Sequence, residues 1–157
     1  MTISVRRLGP EDWREWRDVR LAALADAPEA FGSSLAREGA YDEAEWRAWL
    51  RPERGLKALA GGDGIIGAWV PEDRGGAVEL YSMWVRPDAR GRGIADALLA
   101  EALGWAEQEG RERVELWVID GNDRARRLYE RHGFRATGHT QPHPRDPEVL
   151  EHLMSRG

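Results

Sequence analysis

The chain has 157 residues, of which 41% are hydrophobic and 32% charged, with a formal net charge of −5 and no cysteine. This length predicts one domain over residues 1–157, and the lack of cysteine excludes disulfides, thiolate metal sites and a cysteine nucleophile. The negative charge argues against general binding of nucleic acid, and no apolar run suits a signal peptide or a membrane span, so we expect a cytoplasmic protein without a membrane partner.

The N-terminal half predicts a strand, two helices and a hairpin, in that order. Residues 2–8 have the pattern of a first strand, and Glu11 to Ala25 has apolar residues at helical spacing. Residues 26–34 are predicted to form a loop. Asp42 and Glu45, three residues apart, are typical of the start of a short helix that runs to Leu50. Two apolar runs, "GLKALA" and "GIIGAWV", flank Gly-Gly-Asp-Gly and indicate a hairpin.

The C-terminal half alternates strands with helices. "AVELYSMWV" predicts a long strand that ends before Pro87, and the next helix runs from about Gly91 to Glu109. "RVELWVI" is the following strand, and residues 122–132 are a helix closed by Gly133. "FRATG" and "VLEHLMS" are the last two strands, with the proline-rich stretch "HTQPHPRDP" as a loop between them. Together these elements predict a mixed α/β sheet.

The turn before the third long helix carries the sequence Arg90-Gly91-Arg92-Gly93. A helix start presents free backbone N–H groups that can bind an anion, and glycines let a phosphate approach them. Arginine side chains suit phosphate oxygens. The alternative is a tight turn that needs glycine for its dihedral angles alone. A dinucleotide fingerprint fits poorly because Asp96 stands where its third glycine belongs, and the sequence contains no Gly-Lys-Ser/Thr of a Walker loop.

Two segments in this half resemble the GNAT superfamily of N-acyltransferases. The first, "VRPDARGRGIADALL", has the family positions Val85, Pro87, Arg90, Gly93 and Ala95. The second, "NDRARRLYERHGF", has the family positions Asn122, Ala125, Leu128, Tyr129, Gly133 and Phe134. The resemblance is specific for residues 78–138. It implies an α/β fold with a mostly antiparallel sheet of six to seven strands, splayed at its centre and flanked by about four helices.

The resemblance also implies acetyl-CoA as cosubstrate and a set of residues that bind it. The amides of the helix start would hold the pyrophosphate, and the backbone of the preceding strand would pair with the pantetheine arm. Asn122 would bind the arm from the other side, and Tyr129 would lie near the thioester sulfur. The complete set of binding positions is Met83, Trp84, Val85, Arg90, Gly91, Arg92, Gly93, Ile94, Ala95, Asp96, Asn122 and Tyr129. As alternatives, Met83 and Val85 are core residues in any fold, Asn122 is a good helix cap, and Tyr129 suits a half-buried position.

The implied chemistry is direct attack of a primary amine on the thioester in a ternary complex. This reaction needs a group that accepts the amine proton and a donor for the leaving thiolate. The resemblance suggests Tyr129 as the donor and Glu79, eleven residues before Arg90, as the base. Glu79 could equally be a solvent-facing strand residue, and a chain of waters could carry the proton. Relatives that acetylate protein N-termini often carry glutamate five residues before the asparagine, where this chain has Trp117, so we do not expect that activity.

The acceptor amine has to be inferred from the variable N-terminal half. Residues 26–45 contain six acidic residues and one arginine, which could attract a cationic amine or could form a solvated loop. His139 and His143 lack a third ligand, so we expect no metal site. A non-catalytic acyl-CoA sensor and a transferase for a different acyl-CoA are the alternatives. Family members are often dimers, so a homodimer stays open.

Overall fold

A computed structural model describes residues 2–157, which form one seven-stranded sheet and five α-helices. The strands are β1 (Arg6–Arg7), β2 (Leu56–Leu59), β3 (Gly64–Trp69), β4 (Val78–Val85), β5 (Val114–Ile119), β6 (Arg135–His143) and β7 (Asp146–Arg156). The helices are α1 (Trp13–Asp26), α2 (Leu35–Gly39), α3 (Glu43–Trp49), α4 (Ile94–Gln108) and α5 (Asp123–Arg131). None of these helices has the length and apolar character needed to cross a bilayer.

The sheet has the strand order β1-β2-β3-β4-β5-β7-β6. Neighbouring strands are antiparallel except for β4 and β5, which are parallel because α4 connects them. Since β7 inserts between β5 and β6, the last hairpin places its second strand next to the centre of the sheet. The predicted α/β class, with a mostly antiparallel sheet of six to seven strands, is confirmed.

Helices cover both faces of the sheet and form two hydrophobic cores. On one face, α4 contributes Leu98 and Leu99 to a core that also contains Tyr129 of α5 and Met154 of β7. On the other face, α1 and α3 pack a tryptophan-rich core against β2, β3 and β4. Its fully buried tryptophans include Trp16. Between these two layers of helices, the gap between β4 and β5 is where a binding site can form.

Three local predictions differ from the structure. The first strand is only the two residues of β1, since residues 2–5 make no ladder. Helix α2 lies in a region without a predicted element, and Ser34 caps it by accepting a hydrogen bond from the amide of Arg37 at 3.1 Å. The proline-rich stretch predicted as a loop is mostly strand: residues 139–143 belong to β6, the outermost strand, where proline is tolerated, and residues 146–147 begin β7.

Candidate functional site

Strands β4 and β5 separate soon after they begin. They are paired only at Val78 with Val114 and at Glu79 with Glu115, although β4 continues to Val85. On its other side β4 has a bulge, because Ile65 and Gly67 of β3 pair with Trp84 and Tyr81. Residues 80–85 therefore face a gap with backbone groups that make no ladder bond to β5. This splay is the one expected from the family resemblance.

Ser82 lies in the bulge and has a strained backbone. Its φ of 60° is the only positive φ of a non-glycine residue in the described part of the chain. The side-chain oxygen of Ser82 accepts a hydrogen bond from Arg20 of α1. Arg20 also forms a bidentate ion pair with Glu38 of α2, with N–O distances of 2.8 and 2.9 Å. Because both charged groups are buried, this ion pair fixes α1, α2 and the bulge relative to one another.

A cavity of about 120 Å³ occupies the gap between the two strands. Met83, Trp117, Asn122 and Tyr129 are among the residues that line it. Tyr129 packs edge-on against Phe134, and burial raises the pKa of its phenol to about 12. At neutral pH this hydroxyl is therefore protonated and can donate a proton or a hydrogen bond into the cavity.

A larger cavity of about 490 Å³ continues from the gap towards the start of α4. Met83 and Asn122 line both cavities, so the two are adjacent, and together they are called the cleft. The larger cavity brings together most of the predicted cofactor-binding residues: Met83, Trp84, Val85, Arg90, Gly91, Gly93, Ile94, Ala95, Asp96 and Asn122. Arg92 does not line it; this side chain is exposed and bonds to the carbonyl of Asp88.

The start of α4 has the backbone of an anion site. Gly91 and Gly93 have φ values of 81° and 84°, and Gly93 is the N-cap without a capping side chain. A Cβ added to Gly91 would have no atom within 4 Å, and one added to Gly93 would meet only the Ile3 side chain, 3.7 Å away. The N–H groups of the first turn of this 15-residue helix thus have no side-chain cap, and the residues that carry them line the cavity.

The charges around this helix start are largely paired. Arg90 donates to the carbonyl of Val85 at 3.0 Å and lies 3.5 Å from Asp26. Asp96 accepts hydrogen bonds from His132 at 2.8 Å and from Arg131 at 2.9 Å. These two donors hold the pKa of Asp96 below its ordinary value, His132 having the larger effect. Because its charge is compensated, Asp96 does not repel an anion at the helix start.

Two basic residues that were not among the predicted binding positions also line the larger cavity. Arg124 and Arg131 are on α5, whereas Arg90 precedes α4. They could have been found from the second motif, in which they follow Asn122 along the same helix. Asn122 itself caps α5, since its side-chain oxygen accepts from the amide of Ala125 at 3.2 Å. Its side-chain NH₂ group is then available to a ligand in the cleft.

Glu79 is not brought to the cleft. It lies at the closed end of the splay, where β4 and β5 are still paired, and it lines neither cavity. Its carboxylate accepts a hydrogen bond from the indole of Trp69 at 3.0 Å. A base must come within about 3 Å of the proton it accepts, directly or through one water. The prediction that Glu79 is the base therefore has no support from the geometry.

The acidic segment of residues 26–45 is mostly engaged within the protein. Asp26 accepts from the indole of Trp84 at 2.9 Å, and Asp42 caps α3 as predicted by accepting from the amide of Glu45 at 2.8 Å. Glu43 pairs with Arg47, and Glu38 is the buried partner of Arg20. Four of the six acidic residues of the segment thus make contacts within the protein.

Comparison with known proteins agrees with this geometry. The family described as "Acetyltransferase (GNAT) family" matches residues 13–134. The chain is 32% identical over 134 residues to the mycothiol acetyltransferase of Clavibacter sepedonicus, which covers 85% of this chain and 43% of that protein. The chain thus spans less than half the length of this curated relative.

Solved structures share the fold. A GCN5-related N-acetyltransferase from Kribbella flavida has a TM-score of 0.73 at 24% identity, over 98% of this chain and 96% of that chain. The yncA protein of Salmonella typhimurium, solved with its cofactor acetyl-CoA, has a TM-score of 0.72 at 19% identity, over 99% of this chain and 93% of that chain. The chain belongs to the GNAT family of acetyltransferases.

Proposed function

We propose that this chain transfers an acetyl group from acetyl-CoA to a primary amine, by direct attack of the amine in a ternary complex. One observation carries the proposal: the end of the unpaired edge of β4 and the uncapped glycine turn of α4 line the same cavity. A molecule with an amide-containing arm and a pyrophosphate fits this cleft, because the edge supplies strand-like hydrogen bonds and the turn supplies N–H groups.

Acetyl-CoA is the ligand with this pattern, and the family binds it. In the proposal, the amides of residues 91–96 hold the pyrophosphate, and Arg124 and Arg131 approach it from α5. The backbone of residues 83–85 pairs with the pantetheine arm, and the side-chain NH₂ of Asn122 donates to it from the opposite wall. The thioester then lies in the smaller cavity beside Tyr129.

The chemistry follows from what this chain supplies there. The sequence has no cysteine, so an acetyl-cysteine intermediate cannot form between acetyl-CoA and the amine. The amine nitrogen therefore attacks the thioester carbon directly, and the C–S bond breaks as the C–N bond forms. Tyr129 donates its phenolic proton to the departing thiolate, since burial keeps this hydroxyl protonated.

For the acceptor, we propose a small-molecule amine. The curated relative is named a mycothiol acetyltransferase, and Trp117 occupies the position where relatives that modify protein N-termini often carry glutamate. The protein's cytoplasmic location and a homodimer stay predictions.

The test has two parts, binding and transfer. Calorimetry with acetyl-CoA should show one site per chain, and an amine panel monitored by release of free CoA should show transfer to at least one small amine. Binding with no release for any amine would instead identify an acyl-CoA sensor. Tighter binding and faster release with a longer acyl-CoA would identify a transferase for that acyl group. No binding of any acyl-CoA would refute the proposal.

A further inference from the structure

The smaller cavity contains few groups that can accept a proton at neutral pH. Its ionisable lining residues are Tyr81, Tyr129 and Glu151. Burial raises the pKa of both tyrosines to about 12, so both stay protonated. The phenol oxygen of Tyr81 also accepts a hydrogen bond from the indole of Trp49 at 3.2 Å. Glu151 is therefore the carboxylate that the described part of the chain contributes to this cavity.

The strand order explains how Glu151 reaches the gap. It is on β7 and pairs with Ile119 near the end of β5, where β4 has already separated from β5. Residues that are paired in a sheet project from the same face, so Glu151 shares a face with Ile119 and, by alternation along β5, with Trp117 and Glu115. Glu79 shares this face as well, through its pairing with Glu115. Their partners on β5, Glu115 and Ile119, are four positions apart, which is about 13 Å along the strand.

A neighbouring amide holds the Glu151 carboxylate in place. Gln141 pairs with Glu151 across β6 and β7, and its side-chain NH₂ donates to Oε1 of Glu151 at 3.0 Å. Oε2 takes part in no hydrogen bond among residues 2–157. One oxygen is thus held by the Gln141 amide, while the other is free to accept a proton.

We propose that Glu151 is the proton acceptor for the attacking amine. This proposal rests on the proposed acetyl transfer. Oε2 takes a proton from the incoming ammonium, directly or through one water, and the free amine attacks the thioester carbon. The C–S bond breaks, and the thiolate takes the phenolic proton of Tyr129. The phenolate regains a proton from the new amide nitrogen, and Glu151 releases its own proton to solvent, so one amide, one thiol and one proton are formed.

The test compares Glu151→Gln with Glu148→Gln, a matched change at an exposed residue of the same strand. With the best amine from the panel, Glu151→Gln should lower kcat on the order of 10²-fold at pH 7 without changing the Kd for acetyl-CoA. The loss should shrink as pH rises through the pKa of the amine, because the substrate then arrives without its extra proton. Glu148→Gln should behave like the wild type.

Two further variants make the assignment decisive. Glu151→Asp keeps the carboxylate, one methylene further back, and should retain more activity than Glu151→Gln because it can still accept the proton through one water; equal losses would count against a proton-accepting carboxylate at this position. Glu79→Gln tests the competing carboxylate. A wild-type rate for Glu151→Gln, with or without a loss for Glu79→Gln, would overturn the role of Glu151 and leave the acetyl transfer intact. Failure of the wild type to transfer to any amine would overturn both proposals.

Discussion

The buried ion pair between Arg20 and Glu38 should be a large contributor to stability, and Glu38→Gln tests this. The two side chains are 6% and 2% exposed, so water cannot replace the lost partner. Removing one member of a buried pair typically costs about 3–5 kcal/mol, since the other charge is left uncompensated. In this variant Arg20 keeps its contacts with the ring faces of Phe31 and Trp49, whose centroids lie 4.8 and 5.0 Å from the Arg20 guanidinium carbon. We therefore expect the lower part of that range, about 3 kcal/mol.

The chain offers a matched control in Glu43→Gln. Glu43 pairs with Arg47 at 3.0 Å, but both side chains are about half exposed, and such helix pairs contribute about 0.3–0.5 kcal/mol. Urea unfolding followed by the fluorescence of the eight tryptophans measures both free energies. For a chain of this size, 3 kcal/mol corresponds to a fall in Tm on the order of 6–12 °C. Similar losses for Glu38→Gln and Glu43→Gln would refute the reasoning.

Three further predictions concern the cleft and the core. Gly91→Ala and Gly110→Ala both place a Cβ in open space at positive φ, so each should lose about 1–2 kcal/mol of stability, but calorimetry should show weaker acetyl-CoA binding for Gly91→Ala alone. Tyr129→Phe should keep Tm and acetyl-CoA affinity while slowing CoA release roughly tenfold or more; an unchanged rate would leave Tyr129 as a wall of the cavity. Burial lowers the pKa of Lys57 from 10.5 to about 8. As pH rises, the folded protein therefore loses the Lys57 proton before the unfolded chain does. The destabilisation caused by the buried charge is complete below pH 8 and decreases between pH 8 and pH 10.5. Lys57→Met should therefore raise Tm at pH 7, and the gain in thermal melts should shrink across that pH range; a gain independent of pH would contradict the shift.

Sequence alone was sufficient wherever the determining interaction is local. The caps of Asp42 and Asn122 bond to amides three residues away, so a short pattern predicts them. The positive φ of Gly91 and Gly93 follows from a turn that only glycine adopts easily. The hairpin of β2 and β3 follows from its glycine-rich turn. These features, together with the two motif segments, were sufficient to predict the family, the fold class and the glycine turn at the start of α4.

Tertiary structure decided which side chains share the cleft. Glu79 and Glu151 are both acidic strand residues on one face of the sheet, and no local pattern separates them. The separation comes from where β4 parts from β5, and from the insertion of β7 beside β5, which brings Glu151 to the open end. The role of the acidic segment likewise depends on distant partners, since Glu38 pairs with Arg20, which is 18 residues away in the sequence. Pairing over such separations depends on strand order and packing, whereas a sequence pattern reports only on neighbours along the chain.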